Sequence, residues 1–199
     1  MNLTDFQLDF LRENFNIGVG KGAKVLNTML SSHIKLTVPE IRLLSNKEDD
    51  VVSSYNASIA TVDLSFTGTL NGACKLLFPS DSALKLVRSI SDQPEQEGEA
   101  DFDAMSEGVL KEIGNIVLNS VIGVLGNTLD VQLHYSVPVF KQYQLDDLNQ
   151  SGLISDDNVG LLARIQFNIE TMDVTGEILT IFKMTSFAQL LDLVDKSLS

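Results

Sequence analysis

Apolar residues recur at helical spacing over two long stretches and at strand-like spacing over several shorter ones. From Thr4 to about Ser31 they return every three or four positions, as Phe6, Phe10, Leu11, Phe15, Val19 and Leu26. Thr4-x-x-Gln7 at the head of this run predicts a capping box. A second stretch, from Asp103 to a stop signal at Gly126-Asn127, is apolar nearly all round and predicts a mostly buried helix. Segments rich in β-branched and apolar residues predict strands over Ile34–Val38, Ala57–Leu64, Gly72–Phe78, Leu133–Val137, Leu161–Ile169 and Glu177–Phe182. Ser80–Ile90 and Ser186–Val194 read as closing helices, and the acidic Ser91–Asp103 as a connector.

The two long stretches are copies of one another. A shift of 99 positions sets Leu11–Pro39 on Leu110–Pro138 without a gap. Leu11, Glu13, Asn16, Ile17, Val25, Leu26, Leu30, Val38 and Pro39 recur as Leu110, Glu112, Asn115, Ile116, Val124, Leu125, Leu129, Val137 and Pro138. A shared helix pattern explains the aliphatic pairs but not the Glu, Asn and Pro pairs. A weaker echo at a shift of 104 matches Gly72, Phe78, Ser82 and Leu86 with Gly176, Phe182, Ser186 and Leu190. The change in shift predicts a longer polar loop in the second half. The period is half the chain, so this is a duplication rather than a solenoid. Repeats of about 4–90 and 103–195 are too small to close separate cores, which predicts a single domain over 1–199. The expected class is α/β (α+β), with a pseudo-twofold, shared, mostly antiparallel sheet flanked by the two long helices.

The polar residues that survive on these helices form a stripe. On a helix, positions i, i+4 and i+7 fall within about 60° of one another. Asp9, Glu13 and Asn16 therefore share a face that Gly20 continues; Gly108, Glu112, Asn115 and Asn119 repeat it. A solvated face accounts for either pair alone. It does not account for the same two residue types at the same spacing, with a proline equally far downstream, in both halves. No His, Ser or Cys stands beside either pair as a nucleophile, and two ligands are too few for a hard-cation cage. A Glu and an Asn three apart can instead engage another macromolecule. The carboxylate can pair with a cation, and the carboxamide can hold a water in line with a metal-bound phosphoryl group.

Composition narrows the partners. Of 199 residues, 27 are Asp or Glu and 14 are Lys or Arg, a net charge of −13. A surface this negative repels nucleic-acid backbones and anionic lipid, so neither nucleic-acid binding nor membrane insertion is expected. The lone Cys74 rules out a disulfide within one chain, no apolar run reaches 18 residues, and a cytoplasmic setting is expected.

Asp9-x3-Glu13-x2-Asn16-x22-Pro39 and Glu112-x2-Asn115-x22-Pro138 resemble the two signature motifs of the CheC family of chemotaxis phosphatases, whose members include CheC, CheX and FliY types. DFLRENFNIGVGKGAKVLNTML and LKEIGNIVLNSVIG around them extend the likeness, and the two-motif layout without a further domain is similar to the CheC type. The resemblance implies hydrolysis of the aspartyl phosphate of a phosphorylated response regulator, CheY-P. It implies that Glu13 and Glu112 contact the receiver's lysine, and that Asn16 and Asn115 orient the attacking water. It further implies that Mg²⁺ is supplied by the receiver, with no cofactor of the chain's own, and that CheD is a second partner. Two positions depart from the pattern. Gly108 stands where Asp or Ser precedes the glutamate, and Phe15 where glycine precedes the asparagine.

Two other readings stay open: a non-catalytic module that tethers CheD or a receiver, and stripes that merely pair the two halves. Gly18-Val19-Gly20-Lys21-Gly22-Ala23-Lys24 lacks the strand–turn–helix context of a phosphate loop and is expected to serve close packing. Cys74 is expected in a buried strand, Pro39 and Pro138 at strand entries or bulges, and His33 and His134 outside any metal set. Asp49-Asp50, Asp146-Asp147 and Asp156-Asp157 read as solvated loop charges.

Overall fold

Thr4 and Gln7 exchange hydrogen bonds, Gln7 N to Thr4 Oγ1 at 3.2 Å and Thr4 N to Gln7 Oε1 at 3.1 Å, and so satisfy the first donors of helix α1, Asp5–Leu30. Asp103 does the same for α3, Ala104–Thr128, by accepting from Ser106 N at 2.7 Å; the Ser106 hydroxyl first, and then this amide, hold its carboxyl below the ordinary carboxylate range. Gly126 lies inside α3 rather than past its end. The chain turns instead at Asp130, whose φ of 52° lies in the left-handed region that Asp tolerates. This computed structural model describes residues 3–30, 33–44, 58–91, 102–144, 147, 154–155, 157–169 and 172–197. Most of the acidic connector, Ser31, Asp49-Asp50, Asp146 and Asp156 lie outside these residues.

The remaining elements are β1 (Ile34–Leu44), β2 (Ser58–Gly68), β3 (Gly72–Pro79), α2 (Ser80–Ser91), β4 (Leu133–Tyr135), β5 (Val139–Gln144), β6 (Asn158–Ile169), β7 (Met172–Lys183) and α4 (Met184–Lys196). The strands form one sheet of order β1-β6-β7-β3-β2-β4, with β5 also on β2, and every pairing is antiparallel. The order is palindromic. β1 of the first half pairs with β6 of the second, β4 and β5 of the second pair with β2 of the first, and β3 meets β7 at the centre. The shared sheet is therefore woven from exchanged strands.

Three expectations need correction. β1 does not stop at Val38; a register shift between Thr37 and Glu40 absorbs Pro39 and pairing continues to Leu44. A proline is tolerated there because β1 is an edge strand and Pro39 falls in a bulge. The strand predicted over Leu133–Val137 ends at Tyr135, before Pro138, and pairing resumes in the unpredicted β5. The change in repeat shift does not lie in a longer polar loop: residues 45–57 and 145–157 are equal in length, and the β6–β7 hairpin, Asn158–Lys183, is longer than the β2–β3 hairpin, Ser58–Pro79.

The core fills the space between the helices and one face of the sheet. Leu11, Phe15, Val19 and Leu26 of α1 meet Leu110, Ile113, Val117 and Val121 of α3 and the strand residues Cys74, Leu76 and Phe78 there, all buried. Phe66 packs edge-on against Phe182 at 5.6 Å, and Phe78 packs on Phe167 at 5.2 Å. α1 and α3 cross antiparallel through glycines. A Cβ on Gly18 would lie 2.5 Å from Val121 Cα, and one on Gly22 3.4 Å from Val117 Cα. The shift of 99 turns the first contact into the second, so the sequence repeat is a spatial pseudo-twofold centred at the level of Gly20 and Asn119. α3 has the length and apolarity of a membrane span, but most of its apolar side chains, Leu110, Ile113, Val117, Leu118, Val121, Ile122 and Leu125 among them, are core residues here.

Candidate functional site

With Leu11, Phe15 and Val19 turned inward, the opposite face of α1 looks out. Glu13 is exposed and Asn16 half-buried; on α3, Glu112 is exposed and Asn115 half-buried. The stripes therefore do not glue the halves together, a task that falls to Gly18 and Gly22. Gly20 also faces open space. All four predicted residues lie on helix faces turned away from the α1–α3 contact.

The two pairs differ in what holds them. Asn16 accepts a hydrogen bond from Val38 N at 2.9 Å and donates through Nδ2 to Val38 O at 3.3 Å and Arg12 O at 3.0 Å. Val38 sits at the β1 bulge, where the ladder leaves its N–H and C=O without strand partners, and the carboxamide replaces them. This gives the Asn16-x22-Pro39 spacing a structural meaning: the asparagine one helix back reaches the residue just before the bulge proline. Asn27 repeats the device lower down. It accepts from Ile34 N at 2.5 Å and donates to Ile34 O at 3.0 Å. Asp9 is likewise engaged, in a 3.1 Å ion pair with Arg12.

The second pair has none of this. Asn115 Oδ1 accepts from Asn119 Nδ2 at 2.6 Å, and among the described residues no hydrogen bond engages Asn115 Nδ2. Val137, the repeat mate of Val38, is 82% exposed, against 3% for Val38. The chain there is tied to β2 instead, through Ser136 N to Ser65 O and Ser65 N to Ser136 Oγ, both 2.9 Å. Gly108 leaves open space where Asp9 stands in the first half. Gly114 is buried because α3 presses on β2, where a Cβ would lie 2.5 Å from Val62 Cγ1. Its counterpart Phe15 is a core side chain, 1% exposed, and obstructs nothing at the surface. The engagement of Asn16 with Val38, and of Asn119 with Asn115, escaped the sequence reading; the common x22 spacing was the signal for the first.

The other candidates separate cleanly. Cys74 is a buried strand residue whose thiol burial pushes up to about 12, and it touches Thr180 Oγ1 at 3.3 Å. Lys24, His33 and Lys35 line a shallow groove between α1 and β1, and His134 lies on β4, away from it. On the far face of the sheet Asp63 takes Lys75 at 2.5 Å and Lys141 at 3.1 Å, and the latter contact raises the Lys141 pKa.

The geometry defines a class: one sheet of exchanged halves, with two crossed helices that each show a carboxylate–carboxamide pair to solvent. No protein-family model matches the chain. A search of curated proteins finds the CheY-P phosphatase CheC of Bacillus subtilis (strain 168), 31% identical over 156 residues, covering 77% of this chain and 75% of that protein. The chain belongs to the CheC family. Among solved structures, Thermotoga maritima FliY is similar with a TM-score of 0.78 at 22% identity, over 99% of this chain and 100% of that one. CheX in the CheX–CheY–BeF3–Mg complex of Borrelia burgdorferi is similar with a TM-score of 0.54 at 18% identity, over 86% and 97% of the two chains. At these identities the two structures speak to the fold.

Proposed function

We propose that this protein hydrolyses the aspartyl phosphate of a CheY-type chemotaxis response regulator. The observation that carries the reading is the outward placement, on crossed helices, of two Glu–Asn pairs at one spacing. The naming of its curated relative as a CheY-P phosphatase supports it. In this reading Glu13 or Glu112 pairs with the lysine of the receiver's site. Asn16 or Asn115 enters that site and holds a water in line with phosphorus. The water oxygen forms the new bond to phosphorus as the aspartyl oxygen leaves, which releases inorganic phosphate and restores the carboxylate. The receiver brings both the phospho-aspartate and its Mg²⁺, and the chain brings no cofactor. CheD is a second partner in this reading, and the setting is the cytoplasm.

The test is the decay of a radiolabelled phospho-receiver with and without the protein. Wild type accelerates decay, and Asn16→Ala with Asn115→Ala abolishes the acceleration while the far-ultraviolet spectrum stays native. Full activity in the double variant refutes the site. The engagement of Asn16 with Val38 favours a second reading for part of the molecule, a binding module without hydrolysis. An unchanged decay rate at concentrations where the receiver is bound selects that reading.

A further inference from the structure

The repeat preserves both Glu–Asn pairs, yet the structure puts them in different states. We infer that each chain engages one receiver at a time, through Glu112 and Asn115, and that the Glu13–Asn16 half has become a structural clamp. The inference rests on the proposed recognition of a CheY-type receiver.

Because Gly18 and Gly22 face α3, the helix wheel turns each Glu–Asn pair away from the helix seam, to opposite flanks of the helix pair, so each flank stands or falls on its own bonding.

Bonding decides between the two flanks. Both protons of Asn16 Nδ2 are committed to Val38 O and Arg12 O, and Oδ1 to Val38 N. To enter a foreign site Asn16 must release the backbone of Val38 at the β1 bulge, a residue only 3% exposed. Asn115 releases only a side chain. Asn119 already holds its Oδ1, so Nδ2 is presented outward. The surroundings agree. Where the first half has Asp9 paired with Arg12 and a buried Leu36 and Val38, the second has the open notch at Gly108 and the exposed Tyr135, Val137 and Val139. A half-apolar rim beside a polar pair is the composition of a protein contact, and the occupant it fits is the receiver that the pair itself addresses.

The experiment titrates the full chain with a CheY-type receiver loaded with Mg²⁺ and beryllofluoride, followed by sedimentation and calorimetry, beside the phospho-receiver decay assay. One receiver per chain is expected at saturation. Glu112→Lys weakens binding more than thirtyfold and Glu13→Lys less than threefold; both positions are exposed, so both variants fold. Two receivers per chain, or a larger loss from Glu13→Lys, overturns the inference. Binding by wild type without faster decay retires the phosphatase reading alone, and the stoichiometry and the two Glu variants still decide the occupancy. A wild type that binds no receiver retires both.

Discussion

Replacing Asn16 with alanine removes the carboxamide that stands in for strand pairing at Val38. Two bonds matter: Val38 N to Oδ1 at 2.9 Å and Nδ2 to Val38 O at 3.3 Å. The third, to Arg12 O, serves a carbonyl on the same helix and counts for little. Asn16 is only half-buried, so water reaches part of the gap, and each Val38 group is set at the low end of the unsatisfied-group range, about 1 kcal/mol. Alanine returns about 0.6 kcal/mol of helix propensity. The net loss is about 1.5 kcal/mol, or about 3–6 °C in Tm for a chain of this size. Asn115→Ala loses one bond, to Asn119, and gains the same propensity, so its net effect is within about 0.5 kcal/mol of zero. Urea unfolding followed by circular dichroism separates the two, and hydrogen exchange shows whether the Val38 amide speeds up in Asn16→Ala alone. Equal stabilities for the two variants, or an unchanged Val38 amide, would refute the assignment of Asn16 as a clamp.

Other outcomes follow from the same contacts. Gly18→Ala drives a Cβ onto Val121 Cα and lowers stability by about 2–3 kcal/mol, whereas Gly20→Ala, with open space around it, raises stability by about 1 kcal/mol; denaturant midpoints of the two variants distinguish packing from propensity. Asp63→Ala leaves Lys75, 9% exposed, without its carboxylate and costs about 2–3 kcal/mol, below the fully buried range because water still reaches the pair. Cys74 stays inert to a thiol reagent at pH 8. Between pH 9.0 and about 12 the unfolded chain releases the thiol proton while the folded chain keeps it, so its contribution to stability, full below pH 9.0, falls as pH rises. Cys74→Ala removes that slope in denaturation curves taken across this window.

What the sequence disclosed, and what it hid, has a physical pattern. The long helices, the capping box at Thr4 and Gln7 and the strands that face the core were legible, because their residues face one apolar interior at a fixed period. β5 was hidden: Val139–Gln144 lies at the sheet's edge with no fully buried residue, so no alternation marks it. The run of β1 past Pro39 was hidden because a proline ends pairing in every setting except an edge or a bulge, and β1 supplies both. The four candidate residues were legible as a recurring pair on two helices, and the structure leaves Glu13 and Glu112 exposed and Asn16 and Asn115 half-buried. Their bonding was not, since one spacing leads Asn16 to a backbone and leaves Asn115 with a side chain.

That divergence has a cause in how the halves are joined. β1 pairs with β6, and β2 takes β4 and β5, so each half on its own holds only a hairpin, β2–β3 or β6–β7. A change in a central strand is felt by both halves at once. The helix crossing is under the same constraint, and there the symmetry is kept: the Gly18–Val121 approach is the image of Gly22–Val117. The two valine–proline corners lie at opposite edges of the sheet, where one half can change without disturbing the other. At one edge the strand runs through the corner and needs a carboxamide to close its bulge. At the other, the strand is broken into β4 and β5, Ser65 and Ser136 close the break, and the carboxamide is released from that duty. The freedom of Asn115 is thus a consequence of how the distant edge of the sheet satisfies its own backbone.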